Sequence, residues 1–442
     1  HFEKMLYDNA QLVPVYLDMF TITQDSFYRH IVEETLEYVA REMTNAKGGF
    51  YSATDADSTV PGKDHQEEGW YFTWSLDEFR ATIDSSSRQM LEAYFRVTKR
   101  GNFEGRNILH VRMLPNDFAQ KHQLDVDQFF QLLGDAKSKL YKVRTKRTAP
   151  LRDEKVIASW NGLMISAFAK AGFALKNERY LTMARTAGRH LVSTLMMDDG
   201  SMHRTFMNHR ARHPGVLDDY AFVTQAFLDL FEVTWDEFWL THALKLQHHL
   251  DEHHWDAEHG GYFMTGDRQE KLLSRDKPSY DGAEPSGNAV ALMNLSRLSV
   301  LTGHERYRRR AVETLEAFSG QLKQGNRGMM KMLSALESSS DDPFEIVIAR
   351  TKNDTQVYQA ILDVIRQTYL PNRALVVMAA KPSMIQHVPW TKGKVPLSGR
   401  TTVYVCKRGV CKRPIHEPGQ LKKELENIVT LYPDRTPSPL RL

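Results

Sequence analysis

The stretch GGFYSATDADS, residues 48–58, lies between helical patterns, and its glycine pair followed by an aromatic pair recurs later in the chain. Residues 260–263 read GGYF, and residues 199–206 carry a looser version, DGSMHRTF. Glycines permit tight turns, and aromatic residues favour short strands. We therefore predict that each copy is a short strand on a connecting loop, and that these loops gather at one end of a repeating structure.

The repeating unit is predicted from apolar residues at three- and four-residue spacing, which is typical of amphipathic helices. Such segments come in pairs separated by short turns, as around residues 171–180 and 301–307. This pattern indicates a mainly α fold built from helical hairpins. The helical segments are residues 5–19, 31–43, 156–175, 180–196, 216–233, 238–250, 289–301 and 307–318.

A different organisation is predicted after the polar stretch ESSSDDP at residues 337–343. Strand, helix and strand patterns at 344–349, 354–369 and 373–379 indicate a small α/β element. A β-hairpin is expected around residues 407–409, and the tail ending in TPSPLRL is expected to be mobile. The predicted domains are residues 1–340 for the helical hairpins, 341–384 for the α/β element, and 385–442 for the hairpin and tail.

Composition excludes several classes of protein. The 442 residues are 41% hydrophobic and 26% charged, which is ordinary for a globular protein. The net charge of +3, from 58 basic and 55 acidic residues, is too small to indicate a nucleic-acid partner. The basic run at residues 142–147 is interpreted as a solvated loop. No apolar run approaches the roughly 20 residues of a membrane-spanning helix, so we expect a soluble protein without a membrane partner.

Two cysteines exclude a scaffold built from disulfides. If Arg408 and Gly409 form a two-residue turn, Cys406 and Cys411 face each other about 4.5 Å apart at Cα, within disulfide range. They would remain thiols in a reducing compartment. Because His1 lies inside an apparent helix, we expect a fragment whose start is missing; an intracellular protein is favoured, with secretion left open.

Acidic residues on the first glycine-aromatic loop are candidates for catalysis. Asp55 and Asp57 lie two residues apart on an extended segment, and Glu68 precedes a strand predicted at residues 70–74. Carboxylates beside aromatic rings suit sugar chemistry, where one acid protonates a leaving oxygen and another stabilises or attacks. The alternative is that the aspartates cap turns. A calcium loop of the EF-hand type is disfavoured, because Val60 stands where glycine is required.

Three helix starts carry most of the other candidates, and we expect these to line a central cleft. Two of the starts have a structural alternative: caps and core for Trp160 and Asn161, and carboxylates favoured by the helix dipole for Asp218 and Asp219. The predicted catalytic residues are Asp55, Asp57, Glu68, Asp218 and Asp219. The predicted substrate-binding residues are Tyr7, Asp8, Trp160, Asn161, Tyr220, Glu284 and Asn288.

A histidine cluster, QHHLDEHHW at residues 247–255, could hold zinc through His249 and His253 at helical spacing. The sequence offers no convincing third ligand of the HExxH type. We therefore favour a solvated helix end, and predict neither a metal nor another cofactor.

Taken together, seven motifs resemble the family of spermatogenesis-associated protein 20, thioredoxin-like proteins with bacterial members of the YyaL type. They run in order over about the first 300 residues: HFEKMLYDNAQL (1–12), GGFYSATDADS (48–58), EGWYFTW (68–74), NFEGRNIL (102–109), KVIASWNGLMI (155–165), LDDYAF (217–222) and PSGNA (285–289). One departure is Glu154, where the family pattern has aspartate.

The resemblance implies an (α/α)6 toroid similar to N-acylglucosamine 2-epimerases and six-hairpin glycosidases, preceded by a thioredoxin-like domain that this sequence lacks. It also implies a link to fertility in animals. The catalytic histidines of epimerases have no clear counterpart here.

Two functions follow as hypotheses. The first is a domain that binds or processes a sugar or sugar derivative, leaning to a glycosidase-like or epimerase-like activity. The second is a non-catalytic scaffold that serves the thioredoxin-like domain. Fold resemblance alone does not choose between them.

Overall fold

The computed structural model describes residues 2–270, 273–324, 327–340, 343–351, 353–378 and 384–429. The tail predicted to be mobile lies outside these residues. Among them, no helix combines the length and the apolar character needed to cross a membrane.

Helices account for most of the regular structure in the described residues. They are α1 (Leu6–Thr23), α2 (Ser26–Glu42), α3 (Leu76–Thr82), α4 (Arg88–Phe95), α5 (Pro115–Lys121), α6 (Val126–Arg144), α7 (Ala158–Ala174), α8 (Glu178–Thr194), α9 (Leu217–Thr234), α10 (Glu237–His253), α11 (Gly287–Thr302), α12 (Glu305–Lys323), α13 (Met330–Ser340), α14 (Thr355–Gln367), α15 (Met384–His387) and α16 (Pro418–Val429). The strands are β1 (Lys4–Met5), β2 (Ala53–Thr54), β3 (Asp57–Thr59), β4 (Gln66–Glu68), β5 (Arg152–Asp153), β6 (Val156–Ile157), β7 (His203–Met207), β8 (Arg210–Pro214), β9 (Phe344–Ala349), β10 (Arg373–Met378), β11 (Thr402–Lys407) and β12 (Val410–Cys411).

The chain divides into two compact units. The first unit comprises the residues up to Met5 together with Ala53–Asp153, and the second comprises Leu6–Ser52 and the described residues from Glu154 onward. In the sequence, the Ala53–Asp153 part of the first unit thus lies between the first and second helical hairpins of the second unit. The domain boundaries predicted at residues 340 and 384 remain predictions.

In the first unit, the strand predicted at residues 70–74 is wrong, because residues 69–72 form a turn and Trp74 makes an isolated antiparallel bridge to Asn107. Three of the backbone carbonyl oxygens in residues 70–74 accept hydrogen bonds from one side chain. Nη1 of Arg147 donates to the carbonyls of Trp70, Tyr71 and Thr73 at 2.6–3.1 Å. The Arg147 guanidinium also lies 4.4 Å from the centroid of the Trp74 ring. The prediction that the basic run at residues 142–147 is solvated is therefore wrong for Arg147, whose side chain is only 11% exposed.

The second unit contains the predicted helical hairpins, α1–α2, α7–α8, α9–α10 and α11–α12, in each of which the two helices pack together. The first helices form one row, α1–α7–α9–α11, which we call the inner row. Helix α7 is apolar on nearly all sides and is buried on nearly all sides, as such a sequence requires. These four hairpins confirm the predicted fold class as mainly α and built from helical hairpins.

Contacts between like ends show that the inner-row helices are parallel. At their C-terminal halves, Asp229 of α9 pairs with Lys170 of α7 at 3.2 Å and with Arg297 of α11 at 2.8 Å. At their starts, the backbone N–H of Ser159 donates to Asp219 of α9 at 3.0 Å. The N-terminal ends of the row therefore gather at one end of the second unit.

The glycine-aromatic stretches form equivalent loops, each closed by an antiparallel bridge: Thr44 to Phe50, Met196 to Met202, and Trp255 to Tyr262. Gly48 in the first loop has a φ of 97°, and a Cβ there would lie 2.4 Å from Cγ2 of Thr186. The predicted repeat is thus present as the same local turn after α2, α8 and α10.

The C-terminal part of the second unit is a four-stranded sheet in the order β10–β9–β11–β12. Strands β9 and β10 are parallel and joined through α14, which confirms the predicted α/β element. Strand β11 pairs antiparallel with β9, so the predicted hairpin belongs to the same sheet. Cys406 and Cys411 pair across β11 and β12, with Cα atoms 3.9 Å apart, and are joined by a disulfide.

Candidate functional site

The two adjacent aspartates at the start of α9 lie in different environments. Asp219 is fully buried and accepts hydrogen bonds from the backbone N–H groups of Val216 (2.9 Å) and Ser159 (3.0 Å), and from Nη1 of Arg204 (3.2 Å). Burial raises the pKa of Asp219, while Arg204 and the backbone donors oppose the rise. With every partner inside the fold, Asp219 fixes the starts of α7 and α9 against β7.

Asp218 remains partly exposed and borders the start of α11. The backbone of Gly287 donates a hydrogen bond to its carboxyl group. Burial, followed by the charges of Asp219 and Glu284, raises the pKa of Asp218 to about 7. Asp218 can therefore hold or release a proton near neutral pH, which is the property of a general acid or base.

Glu284 brings a third carboxylate from the loop that precedes α11. Its Oε1 accepts a hydrogen bond of 2.8 Å from the indole Nε1 of Trp160, in the first turn of α7. Burial raises the pKa of Glu284. We call Asp218, Asp219 and Glu284 the acid cluster.

Aromatic groups from α1 and α7 adjoin the acid cluster. The Tyr7 ring meets the Trp160 ring edge to face, with centroids 4.8 Å apart. Asp8 is exposed beside them, and partial burial raises its pKa. Nε2 of Gln11 donates to the carbonyl of Ala283 at 2.8 Å, which ties α1 to the loop that carries Glu284. The structure thus brings together Tyr7, Asp8, Trp160, Asp218, Asp219 and Glu284.

Gly287 makes the close approach between α9 and α11 feasible. A Cβ at this position would lie 2.3 Å from Oδ1 of Asp218 and 2.7 Å from Cγ of Leu217. Any larger residue would displace the Asp218 carboxyl group. Sequence reasoning missed Gly287 as a site residue, although it stands in the PSGNA motif.

Three of the predicted substrate-binding residues use their side-chain polar groups to bind the backbone of the protein itself. Asn161 accepts from the Phe50 N–H (2.8 Å) and donates to the Phe50 carbonyl (3.0 Å), and Asn288 binds the backbone of Tyr262 in the same way (2.8 and 2.9 Å). The hydroxyl of Tyr220 accepts from the Met202 N–H at 3.1 Å. Each side chain clamps one glycine-aromatic loop to the next inner-row helix, so we leave these three residues out of the proposed ligand contacts.

Asp55, Asp57 and Glu68 belong to the first unit. Oδ1 of Asp55 accepts from the Asp57 N–H at 3.2 Å, and Asp57 pairs with Glu68 across β3 and β4. The first of these contacts is the turn geometry that was the alternative to catalysis. Their assignment as catalytic residues remains a prediction.

The interpretation of the histidine cluster as a solvated helix end is wrong for most of its members. His249 is 8% exposed and stacks on Tyr220, with ring centroids 5.1 Å apart, and His254 is 1% exposed. His253 contacts Asp267 at 2.9 Å through Nδ1. The reason is that the loops after α8 and α10 cover this helix end and leave a cavity of about 240 Å³. Within the described ranges, no group of three or more potential ligands could hold a metal ion.

Arg204 is the other residue of the site that sequence reasoning missed. It lies on β7, and its partner Asp219 is 15 residues further along the chain. The available signal was the alternation of residues along the predicted strand, which puts Arg204 on the same face as Phe206, a partly buried residue that packs against the core.

Comparisons with solved structures find distant similarities. A cellobiose 2-epimerase from Bacillus thermoamylovorans has a TM-score of 0.40 and 9% identity over 96% of this chain and 88% of that chain. A glycoside hydrolase family 76 mannosidase from Bacteroides thetaiotaomicron has a TM-score of 0.30 and 16% identity over 37% and 44%. Similarity of this degree says nothing about substrate or reaction.

Sequence comparison finds closer relatives, although no family model matches the chain. Spermatogenesis-associated protein 20 of Homo sapiens is 34% identical over 459 residues, and that of Mus musculus is 33% identical over 457 residues. An uncharacterized protein of Caenorhabditis elegans is 27% identical over 453 residues. Each alignment covers 96% of this chain, which spans 58% of the length of the two mammalian proteins. The resemblance seen in the motifs is thereby confirmed as similarity to spermatogenesis-associated protein 20 over 96% of this chain.

Proposed function

We propose that the second unit binds a sugar or sugar derivative at the acid cluster and that Asp218 is the proton-transferring residue of this site. The observation that supports the proposal is the position of Asp218: a partly exposed carboxyl group whose pKa is raised to about 7 by burial and by Asp219 and Glu284. A carboxyl group that keeps its proton near neutral pH can protonate a glycosidic or hydroxyl oxygen.

The neighbouring groups have distinct roles in this proposal. Trp160 and Tyr7 offer ring faces and edges against which the apolar side of a sugar can pack. Glu284, held by the Trp160 indole, supplies a second carboxylate that can orient a hydroxyl group or stabilise developing positive charge. Asp219 acts as a positioning residue, because its oxygens are bound by Arg204 and two backbone N–H groups.

The proposal extends to the longer relatives. Their name associates them with spermatogenesis. We propose that these longer proteins contribute to fertility and that the part matching this chain cooperates with a thioredoxin-like domain. The assignment of Asp55, Asp57 and Glu68 as catalytic residues is a separate proposal about the first unit alone, to be tested with the Asp55→Asn/Asp57→Asn double variant.

The second candidate is a non-catalytic scaffold that serves a thioredoxin-like domain. It is favoured by Asn161, Asn288 and Asp219, polar residues at helix starts whose hydrogen-bonding groups are used inside the fold. In this case the acid cluster would be a structural feature, and Asp218 could be neutralised without loss of function.

A thermal-shift screen with neutral mono- and disaccharides separates the two candidates. A ligand at 100 times its Kd should stabilise the wild type by about 2.7 kcal/mol. The stabilisation should disappear in Asp218→Asn and persist in Asp198→Asn, a matched change at an exposed aspartate of the same unit. A binding sugar would then be assayed for turnover. If no sugar stabilises the folded wild type, or if Asp218→Asn binds equally well, the sugar proposal is wrong and the scaffold is favoured.

A further inference from the structure

We propose that the second unit also has a binding site for a phosphate group, carried by a small phosphomonoester or present as free phosphate, in a cavity on the β6–β7–β8 sheet. This basic cavity has a volume of about 180 Å³. Its polar lining consists of Lys155, Thr205, Asn208, Arg210, Arg212 and His213.

The register of the β7–β8 hairpin puts the basic residues on one face of the sheet. Thr205 pairs with Arg212, and Met207 pairs with Arg210. Because side chains alternate along a strand, these four residues share a face, whereas Phe206 lies on the opposite face and packs on the core. The cavity is therefore formed by the face of the sheet that points away from the core.

Two further residues complete the basic lining. Lys155 directly precedes β6, the strand that pairs with β7 on the side away from β8. His213 has a φ of 58°, a left-handed conformation that departs from regular strand geometry, and it too lines the cavity. Cationic or potentially cationic groups thus reach the cavity from both sides of β7.

The arginines of the cavity lack anionic partners. Neither Arg210 nor Arg212 forms an ion pair with any residue in the part of the chain that the structure describes. The segment from residue 200 to residue 217 contains three arginines and three histidines but no aspartate or glutamate. Residues two apart on a strand are about 7 Å apart, so one anion can contact both of these permanent charges.

The lining favours phosphate over other anions and over large partners. Guanidinium groups bind phosphate oxygens through paired N–H donors, and the hydroxyl of Thr205 and the amide of Asn208 can add neutral donors. A volume of about 180 Å³ corresponds to roughly six water molecules, enough for a phosphate and the first atoms of its ester. A net charge of +3 for the whole chain does not suggest the extended basic surface of a nucleic-acid-binding protein.

This site is separate from the acid cluster in its residues and in its face of the sheet. Arg204, the β7 residue that binds Asp219, lies on the same face of the strand as Phe206, whereas Thr205 lies on the opposite face. The phosphate proposal therefore does not depend on the proposed sugar function, and substitutions at Arg210 and Arg212 leave the contacts of the acid cluster in place.

The test is isothermal titration calorimetry with inorganic phosphate and with glycerol phosphate, at constant ionic strength in chloride. We expect the wild type to bind at least one of them with a Kd of about 1 mM or tighter. Arg210→Gln/Arg212→Gln should weaken binding at least about tenfold, and Arg210→Lys/Arg212→Lys should weaken it less, because charge is kept but the paired donors are lost.

The matched control is Arg309→Gln/Lys323→Gln, which removes the same charge from exposed positions of α12. It should bind as the wild type does, as should Asp218→Asn. Stronger binding of glycerol phosphate identifies an ester ligand, and binding of inorganic phosphate alone identifies the free anion. The proposal is overturned if the wild type binds neither probe, or if the glutamine double variant, shown to be folded by circular dichroism, binds as tightly as the control.

Discussion

The indole N–H of Trp160 donates a hydrogen bond of 2.8 Å to Oε1 of Glu284, and so joins the first turn of α7 to the loop before α11 across 124 residues of sequence. The bond places an aromatic ring and a carboxylate side by side at the acid cluster. It also makes Trp160 a positioning residue for Glu284, because a buried carboxylate is held in its charged form by such donors.

Trp160→Phe should keep the ring contact with Tyr7 but remove the donor. We expect the free energy of unfolding to fall by about 1–3 kcal/mol, because Glu284 loses a hydrogen bond at a largely buried position. Urea unfolding measures the loss. The matched change is Trp235→Phe, since the indole nitrogen of Trp235 has no hydrogen-bond partner among the described residues. Equal losses at pH 7 in the two variants would contradict the role assigned to the Trp160 bond.

Gly287→Ala should destabilise the second unit and disturb Asp218. The added Cβ would lie 2.3 Å from Oδ1 of Asp218, so either the carboxyl group or the start of α11 must move. We expect a loss of about 1–3 kcal/mol, as for overpacking in a tight core. Gly320→Ala, inside α12 where a Cβ meets nothing within 4 Å, should instead stabilise by about 0.5–1 kcal/mol. Thermal unfolding of both variants tests the opposite signs.

Asn161→Ala should be among the most destabilising polar substitutions in the chain. It removes two hydrogen bonds to the Phe50 backbone and one to the Ile157 carbonyl, and leaves the buried Phe50 N–H unpaired. We expect a cost of about 2–4 kcal/mol. Asn177→Ala, which removes only the N-cap of α8, should cost about 1 kcal/mol. Similar values in urea unfolding would mean that Asn161 does not hold the loop.

The repeat could be predicted from the sequence because its signals are local: glycines, aromatic residues and helical spacing lie within a few residues of one another. The roles of the polar residues at helix starts could not be predicted from the sequence, because their partners are distant. Asn161 and Trp160 are adjacent, but the partner of one lies 111 residues earlier and that of the other lies 124 residues later. Asp218 and Asp219 are likewise equivalent in the sequence, and only the packing of α7 and α11 against α9 buries one and leaves the other partly exposed.

The same limit explains the failed expectations. The aromatic stretch at residues 70–74 has the composition of a strand. Its carbonyl oxygens, however, accept hydrogen bonds from Arg147, which lies more than 70 residues further along the chain. His249 lies at a helix end whose sequence is typical of a solvated segment. In the fold, the loop that carries Met202 and the ring of Tyr220 cover this end. In both cases a distant segment determines the local environment.

The pH dependence of stability should reveal the proton held by Asp218. In the folded chain its pKa is about 7, whereas the unfolded value is near 3.8. Between these values the folded state binds more protons than the unfolded state, so the free energy of unfolding falls as the pH rises and the full penalty is reached above pH 7. Asparagine does not titrate, so Asp218→Asn should match the wild type near pH 4 and become more stable than the wild type by roughly 2–4 kcal/mol near pH 7.5.

The difference between variant and wild type is the quantity to measure, because other groups titrate in the same range. Burial lowers the pKa of His254 to about 4, so the folded state loses stability as the pH falls below about 6.5, which is the opposite trend. Subtracting the two urea-unfolding curves at each pH removes this contribution. If the difference between Asp218→Asn and the wild type does not change with pH, the carboxyl group of Asp218 is ionised in the folded chain at neutral pH and cannot be the proton donor of the proposed site.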